Sequence, residues 1–112
     1  MSNAAREKGK RGERAFAAWL RETFACDARR GVQYAGSPSS PDVEHSLDGI
    51  RFEVKSNRLR IDAAIEQVVA DCGPSQIAVV AYKRDRGDWL FILRGADAQG
   101  FAERLLAALG RH

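Results

Sequence analysis

The chain has 112 residues, 45% apolar and 29% charged, with two cysteines and a formal net charge of +3. That length holds one domain, residues 1–112, and excludes two; such a chain buries roughly 65% of its unfolded surface and forms a core without staples. No apolar run reaches bilayer-spanning length and no secretory leader is evident, so a cytoplasmic protein with no membrane partner is expected.

Residues 1–4 include Ser2-Asn3-Ala4, which is compatible with a tag remnant and carries no weight. From Ala5 to Phe24 the pattern is helical. Glu13, Phe16, Ala17, Leu20 and Phe24 fall at i, i+3, i+4, i+7 and i+11 and share one face. Glu13 therefore points to the apolar side. Such a glutamate is ordinarily a solvated rim residue, although from there it can reach a site over the sheet. Cys26 to Tyr34 reads as a weak strand, and Ala35 to Pro41 as a loop rich in turn residues. Cys26 and Cys72 form no C-x-x-C motif and read as two buried free thiols in a reducing cytosol.

The stretch SPDVEHSLDGIRFEVKS, residues 40–56, predicts a β-hairpin. Asp48-Gly49 signals a type I′ turn, which needs positive φ at both positions. Leu47 then faces Ile50, His45 faces Phe52, and Val43 faces Val54, all on one apolar side. The other side carries Asp42, Glu44, Ser46, Arg51, Glu53 and Lys55, with Asp42 opposite Lys55 and Glu44 opposite Glu53. A solvated polar face with one cross-strand ion pair explains most of this pattern. It does not explain two glutamates in opposition. A divalent cation removes that cost, and Mg²⁺ takes a few carboxylate oxygens while keeping several waters. Clustered carboxylates beside a lysine suit metal-assisted hydrolysis. His45, facing Phe52, reads as a packed histidine and not as a ligand.

Ile61, Ile65, Val68, Val69 and Cys72 predict a second amphipathic helix, ended by Gly73-Pro74, with Asp62 favourable at its start. Gln67 lies off that stripe, beside Ala63 and Ala64, and by periodicity faces solvent. IAVVAY (77–82) and WLFIL (89–93) read as buried strands joined by a basic turn. Phe101, Leu105 and Leu109, with Ala102 and Leu106, give a closing helix. The order α-β-β-β-α-β-β-α predicts an α/β fold, a mixed sheet flanked by helices, and a parallel crossover around the second helix.

The basic residues cluster: Arg6, Lys8, Lys10, Arg11 and Arg14; Arg29-Arg30; Arg58 with Arg60; Lys83-Arg84 with Arg86. Each cluster alone reads as a solubilising face. If Glu13, Asp42 and Glu53 serve a metal, 15 acidic residues fall to 12 against 18 basic ones. A basic surface around an acidic pocket suits a phosphate backbone.

These motifs resemble the PD-(D/E)XK nuclease superfamily, the restriction-endonuclease-like fold. Pro41-Asp42 matches PD, and Glu53-Val54-Lys55 matches E-x-K. KGKRGERAFAAWL, the GVQYAGSPSSPDV that follows an arginine, FEVKS, and the Gln67 helix followed by IAVVAYK and WLFIL are similar to archaeal-type Holliday junction resolvases and small phage resolvase-like nucleases. The resemblance runs from about Lys8 to Leu93.

It implies an Mg²⁺- or Mn²⁺-dependent DNA endonuclease, a phosphodiester hydrolase of DNA recombination and repair. Branched or four-way junction DNA is the expected substrate, and a homodimer the expected assembly. Asp42 and Glu53 match the metal ligands, the Val54 carbonyl an added ligand, and Glu13 the helix glutamate that completes the acidic site. Lys55 matches the catalytic lysine, Gln67 a helix glutamine near the site, and Ser37 a loop serine that helps catalysis. Arg29 and Arg30 match DNA-contacting residues; Lys8, Lys10, Arg11, Arg14, Arg58 and Arg60 complete the expected DNA-binding set. Glu44 has no matching role. Ser56-Asn57 departs from phage relatives that are more basic there. Two alternatives stand beside this reading: a non-catalytic DNA-binding module, and a nuclease of another class, nicking, restriction-like or RNA-directed.

Overall fold

The apolar stripe of the N-terminal segment becomes helix α1 (Asn3–Phe24), which buries Phe16, Ala17 and Leu20. Phe16 anchors an aromatic cluster, with the rings of Trp19, Phe52, Trp89 and Phe91 centred 4.8 to 5.9 Å away. In this computed structural model residues 3–31, 41–56 and 58–110 are described, with side chains from Lys8 onward.

Strand β1 (Ala28–Arg30) pairs antiparallel with β2 (Val43–His45). Strand β3 (Ile50–Ser56) leads through α2 (Ile61–Asp71) to β4 (Ile77–Lys83), which lies parallel to it. Strand β5 (Trp89–Ile92) is antiparallel to β4, and a 3-10 turn (Gly95–Asp97) enters α3 (Ala98–Leu109). The element order and the parallel crossover agree with the sequence.

The sheet does not. In place of one mixed sheet the described residues form two small ones, β1–β2 and the mixed β3–β4–β5. The hairpin ladder expected between β2 and β3 is absent among the described residues. Of the turn pair only Gly49 has positive φ, at 83°, so the turn is not type I′. Strand β2 gives its backbone to β1: Ser46 N–H donates to Asp27 O, and Gly31 N–H to Asp42 O. Ile77 N–H donates to Gly49 O, drawing β3 to β4. Glu44 therefore lies opposite Arg29 and not opposite Glu53.

The apolar face survives this change of partner. Val43, Leu47, Ile50 and Phe52 are buried in one cluster with α1, and His45 meets Phe52 edge-on at 5.1 Å. Strand β4 is buried on both faces, Val79 and Ala81 toward that cluster, Ala78 and Val80 toward α2. Helix α2 packs through Ala64 and Val68, leaving Ile61 52% exposed, because small Ala64 seats the helix close against Ala78 and Val80. Strand β5 is an outer strand, so Leu90 is 43% exposed where a fully buried strand was expected. Leu106 lies off the stripe that buries Ala108. Both cysteines are free; Cys26 is buried, but Cys72 only half so. Among the described residues no helix is long and apolar enough to cross a membrane.

Candidate active site

Alternation along β3 sends Ile50 and Phe52 into the α1 core and Arg51, Glu53 and Lys55 to the α2 side, in register with Ala78, Val80 and Tyr82. Glu53 is only 7% exposed. Burial pushes its pKa up to about 7, and the negative charge of Asp42 adds to the effect. Lys55 opposes it, with Nζ 3.4 Å from Glu53 Oε2.

Asp42 immediately precedes β2. The Val54 N–H donates to Asp42 Oδ2 at 2.9 Å, so a side chain spans the gap that a ladder would have closed. The N–H and C=O of one strand residue point to the same edge, so the Val54 carbonyl opens on the Asp42 side. Burial holds Asp42 above the usual carboxylate range, against the Val54 N–H, Lys55 and Arg51, which pull it down. Glu13 comes from α1. Burial and the charge of Asp42 raise its pKa, while Arg30 lowers it, donating from Nε to Glu13 Oε1 at 2.9 Å. Gln67 reaches in from α2, and its Oε1 accepts from Lys55 Nζ at 3.4 Å.

Glu13, Asp42, Glu53, Lys55 and Gln67 thus meet from α1, the residue before β2, β3 and α2. Beside Lys55 and Gln67, Arg58 and Arg60 line a cleft of about 230 Å³. Arg29 and Arg30 are held by carboxylates, Arg29 Nη2 lying 2.7 Å from Glu44 Oε2 at the surface. Lys8, Arg11 and Arg14 are exposed on α1, and Lys10 is half-buried. Ser37 lies outside the described residues. His45 is packed, as expected: its Nδ1 accepts the Leu47 N–H at 3.0 Å, and burial holds its pKa below the usual value.

Three residues were given no role at the site by the sequence reading. Arg51, 9% exposed, shares the Glu53 face and lowers the pKa of Asp42. Asp71 raises both Asp42 and Glu53; its place four residues after Gln67, on the same helix face, was the signal. Gly31 lets β1 lie against the backbone of Pro41, whose carbonyl oxygen a Cβ at Gly31 would overlap.

Among the described residues no three His, Cys, Asp or Glu side chains form a group able to hold a metal by themselves. Asp42 and Glu53 are two hard oxygen donors, both desolvated, and the charge of Asp42 raises the pKa of Glu53. That donor set fits Mg²⁺, which takes one or two carboxylates and keeps waters in its other positions. Its charge would relieve the repulsion between them. The chain matches no family model, no curated protein and no solved structure. A functional reading therefore stands on these residues.

Proposed function

We propose that the protein is a divalent-metal-dependent DNA endonuclease of the PD-(D/E)XK type, restriction-endonuclease-like in fold, acting on branched DNA such as a four-way junction. The observation that carries this reading is the meeting of Asp42, Glu53, Lys55, Gln67 and Glu13 at one strand edge. The element order and the parallel β3–β4 crossover support it; the gap between β2 and β3 departs from the single sheet expected of that fold.

Asp42 and Glu53 would hold Mg²⁺ or Mn²⁺, with the Val54 carbonyl at the same edge and Glu13 behind Asp42. The bound metal supplies a Lewis acid that polarises the phosphate and makes water a stronger acid. Lys55, steadied by Gln67, offers Nζ–H donors to the attacking water and to a phosphate oxygen. Glu53 keeps the ammonium turned into the site, and Arg30 keeps Glu13 from competing for it. Hydrolysis adds water across the P–O3′ bond and leaves a 5′-phosphate and a 3′-hydroxyl. A four-way junction has two-fold symmetry, which a homodimer with two such sites would match.

A second reading, a DNA-binding module without catalysis, is favoured by one observation. Asp42, Glu53 and Glu13 each already have a protein partner, in the Val54 N–H, Lys55 and Arg30. The test is cleavage of a labelled four-way junction and its matched linear duplex, with Mg²⁺, with Mn²⁺ and with EDTA, by the parent and by Asp42→Asn. Symmetric nicks in the junction alone, lost with EDTA and in the variant, are the expected result. Cutting of both substrates would keep the nuclease and remove the junction. Tight binding with no cutting under either metal would select the second reading.

A further inference from the structure

Two groups of arginines contrast. Arg29, Arg30 and Arg94 are each answered by a carboxylate at 2.7 to 2.9 Å. Arg58, Arg60, Arg84 and Arg86 have no ion pair or side-chain hydrogen bond among the described residues. These four gather at one end of the molecule.

Strands β3 and β4 are parallel and finish together there, Ser56 in register with Lys83. The carboxyl ends of parallel strands are where open sheets receive ligands. On the α2 side of this end lies the cleft of Lys55, Gln67, Arg58 and Arg60. A second cleft, of about 190 Å³, lies on the α1 side, between Gly12, Ser56, Trp89 and the start of the β4–β5 turn. Three cations line it, Lys83, Arg84 and Arg86, against one carboxylate, Asp85.

The turn is built to present them. The Gly87 N–H donates to Arg84 O at 3.0 Å and closes it tightly. Arg86 has φ +59°, the left-handed region that residues with a Cβ rarely adopt. Such strain persists only where the surroundings impose it, and it recurs at ligand clamps. Lys83 Nζ lies 5.9 Å over the Trp89 ring, which holds the ammonium against the cleft wall. Arg84 and Arg86 are exposed and have no ion pair among the described residues, so neither has to leave a carboxylate there before it meets a phosphate group, and Lys83 adds a third charge to the same small concave site.

We propose that this second cleft holds a backbone phosphate of the bound nucleic acid, through Lys83, Arg84 and Arg86, so that the strand wraps the β3–β4 end between the two clefts. The inference rests on the DNA reading above and adds a contact away from the carboxylate site. It assigns the turn a positioning role: the backbone is gripped on both sides of the strand end that carries Glu53 and Lys55.

The test is binding, not cleavage. Fluorescence anisotropy of a labelled four-way junction and its duplex, in EDTA over a salt series, compares the parent with an Arg84→Ala, Arg86→Gly double variant. Glycine keeps the left-handed turn, and equal melting temperatures check the fold. Arg94→Ala, paired to Asp97 elsewhere, is the control. The double variant should bind about tenfold more weakly, with the slope of log K against log salt reduced by about 0.9 for the one lost phosphate contact. The control should keep the parent's affinity and slope. If the parent binds DNA and the double variant matches it in both, the second cleft is not a phosphate site, while the nuclease reading stands. If the parent binds no DNA at all, both fall. Variant-sensitive binding to phosphatidylserine vesicles in place of DNA would overturn the proposal in favour of a membrane surface.

Discussion

Asp42 carries its charge at a cost, since burial raises its pKa even with the Val54 N–H bonded to it. Asn at this position keeps an acceptor for that N–H and removes the desolvated charge. Asp42→Asn should therefore abolish metal-dependent cleavage while leaving DNA binding intact or tighter and the melting temperature unchanged or higher. Nuclease and anisotropy assays on one preparation check this; an undiminished cleavage rate would take Asp42 out of the site. Glu53 gives a pH dependence whose sign is fixed. Its folded pKa is about 7 against an ordinary 4.5, so the fold favours the protonated acid. Its contribution to stability is full below pH 4.5 and is lost as pH rises through 7. The loss is on the order of 3 kcal/mol above that point. In EDTA, Glu53→Gln should be more stable than the parent at pH 8, with the gap closing toward pH 4.5. Urea melts at the two pH values measure it, and a gap independent of pH would show that Glu53 is not strained by its burial.

At the scale of elements, the helices and β4 were legible because one period dominates each. Phe16, Ala17 and Leu20 recur at helical spacing, and IAVVAY is apolar on both faces. The face of each β3 side chain was legible for the same reason. Strand partnership was not, because alternation fixes which side a residue takes and leaves open which neighbour shares its hydrogen bonds. Asp48-Gly49 fits more than one turn type, and the one adopted, with positive φ only at Gly49, lets β2 go to β1. Glu44 was thus assigned a repulsion from Glu53 that Arg29 in fact answers. Gln67 looked idle because Ile61 and Ile65 drew the helix face away from Ala64; only the resemblance gave it a role, and its bond to Lys55 agrees. Gly31 tests how closely the site depends on strand packing. Gly31→Ala must push Pro41 away, and Asp42 moves with it. We expect a destabilisation of about 1–3 kcal/mol and a fall in cleavage larger than the unfolded fraction explains. Gly9→Ala, where a Cβ meets nothing within 4 Å in mid-helix, should stabilise by about 0.5–1 kcal/mol and leave the rate alone. Equal rates in both variants, measured well below their melting temperatures, would uncouple the β1–β2 packing from the site.

Across the whole molecule a net charge of +3 conceals an uneven layout: a desolvated acidic group at one strand edge, and exposed arginines around the strand ends that have no ion pair among the described residues. Glu13, Asp42 and Glu53 all have raised pKa values, and Asp42 contributes to the shifts of both glutamates. Without a counter-ion, folding above neutral pH works against that repulsion, as expected where function and stability pull apart. A dication that binds only the folded state turns the repulsion into affinity. At tenfold its dissociation constant it adds RT ln 11, about 1.4 kcal/mol, a rise of about 5 °C or more in a domain of this size. The rise should be large at pH 8 and small at pH 5, because carboxylates protonated through the raised pKa of Glu53 cannot ligate. It should vanish in Glu53→Gln and in Asp42→Asn, whose EDTA melting temperatures at pH 8 should be no lower than the parent's. Thermal melts with Mg²⁺ and with Mn²⁺ against EDTA decide the matter before any substrate is known. A melting temperature that neither metal moves at pH 8 would mean that Lys55, Arg30 and the Val54 N–H already satisfy these carboxylates, and that the site is an ion-pair network rather than a catalytic centre.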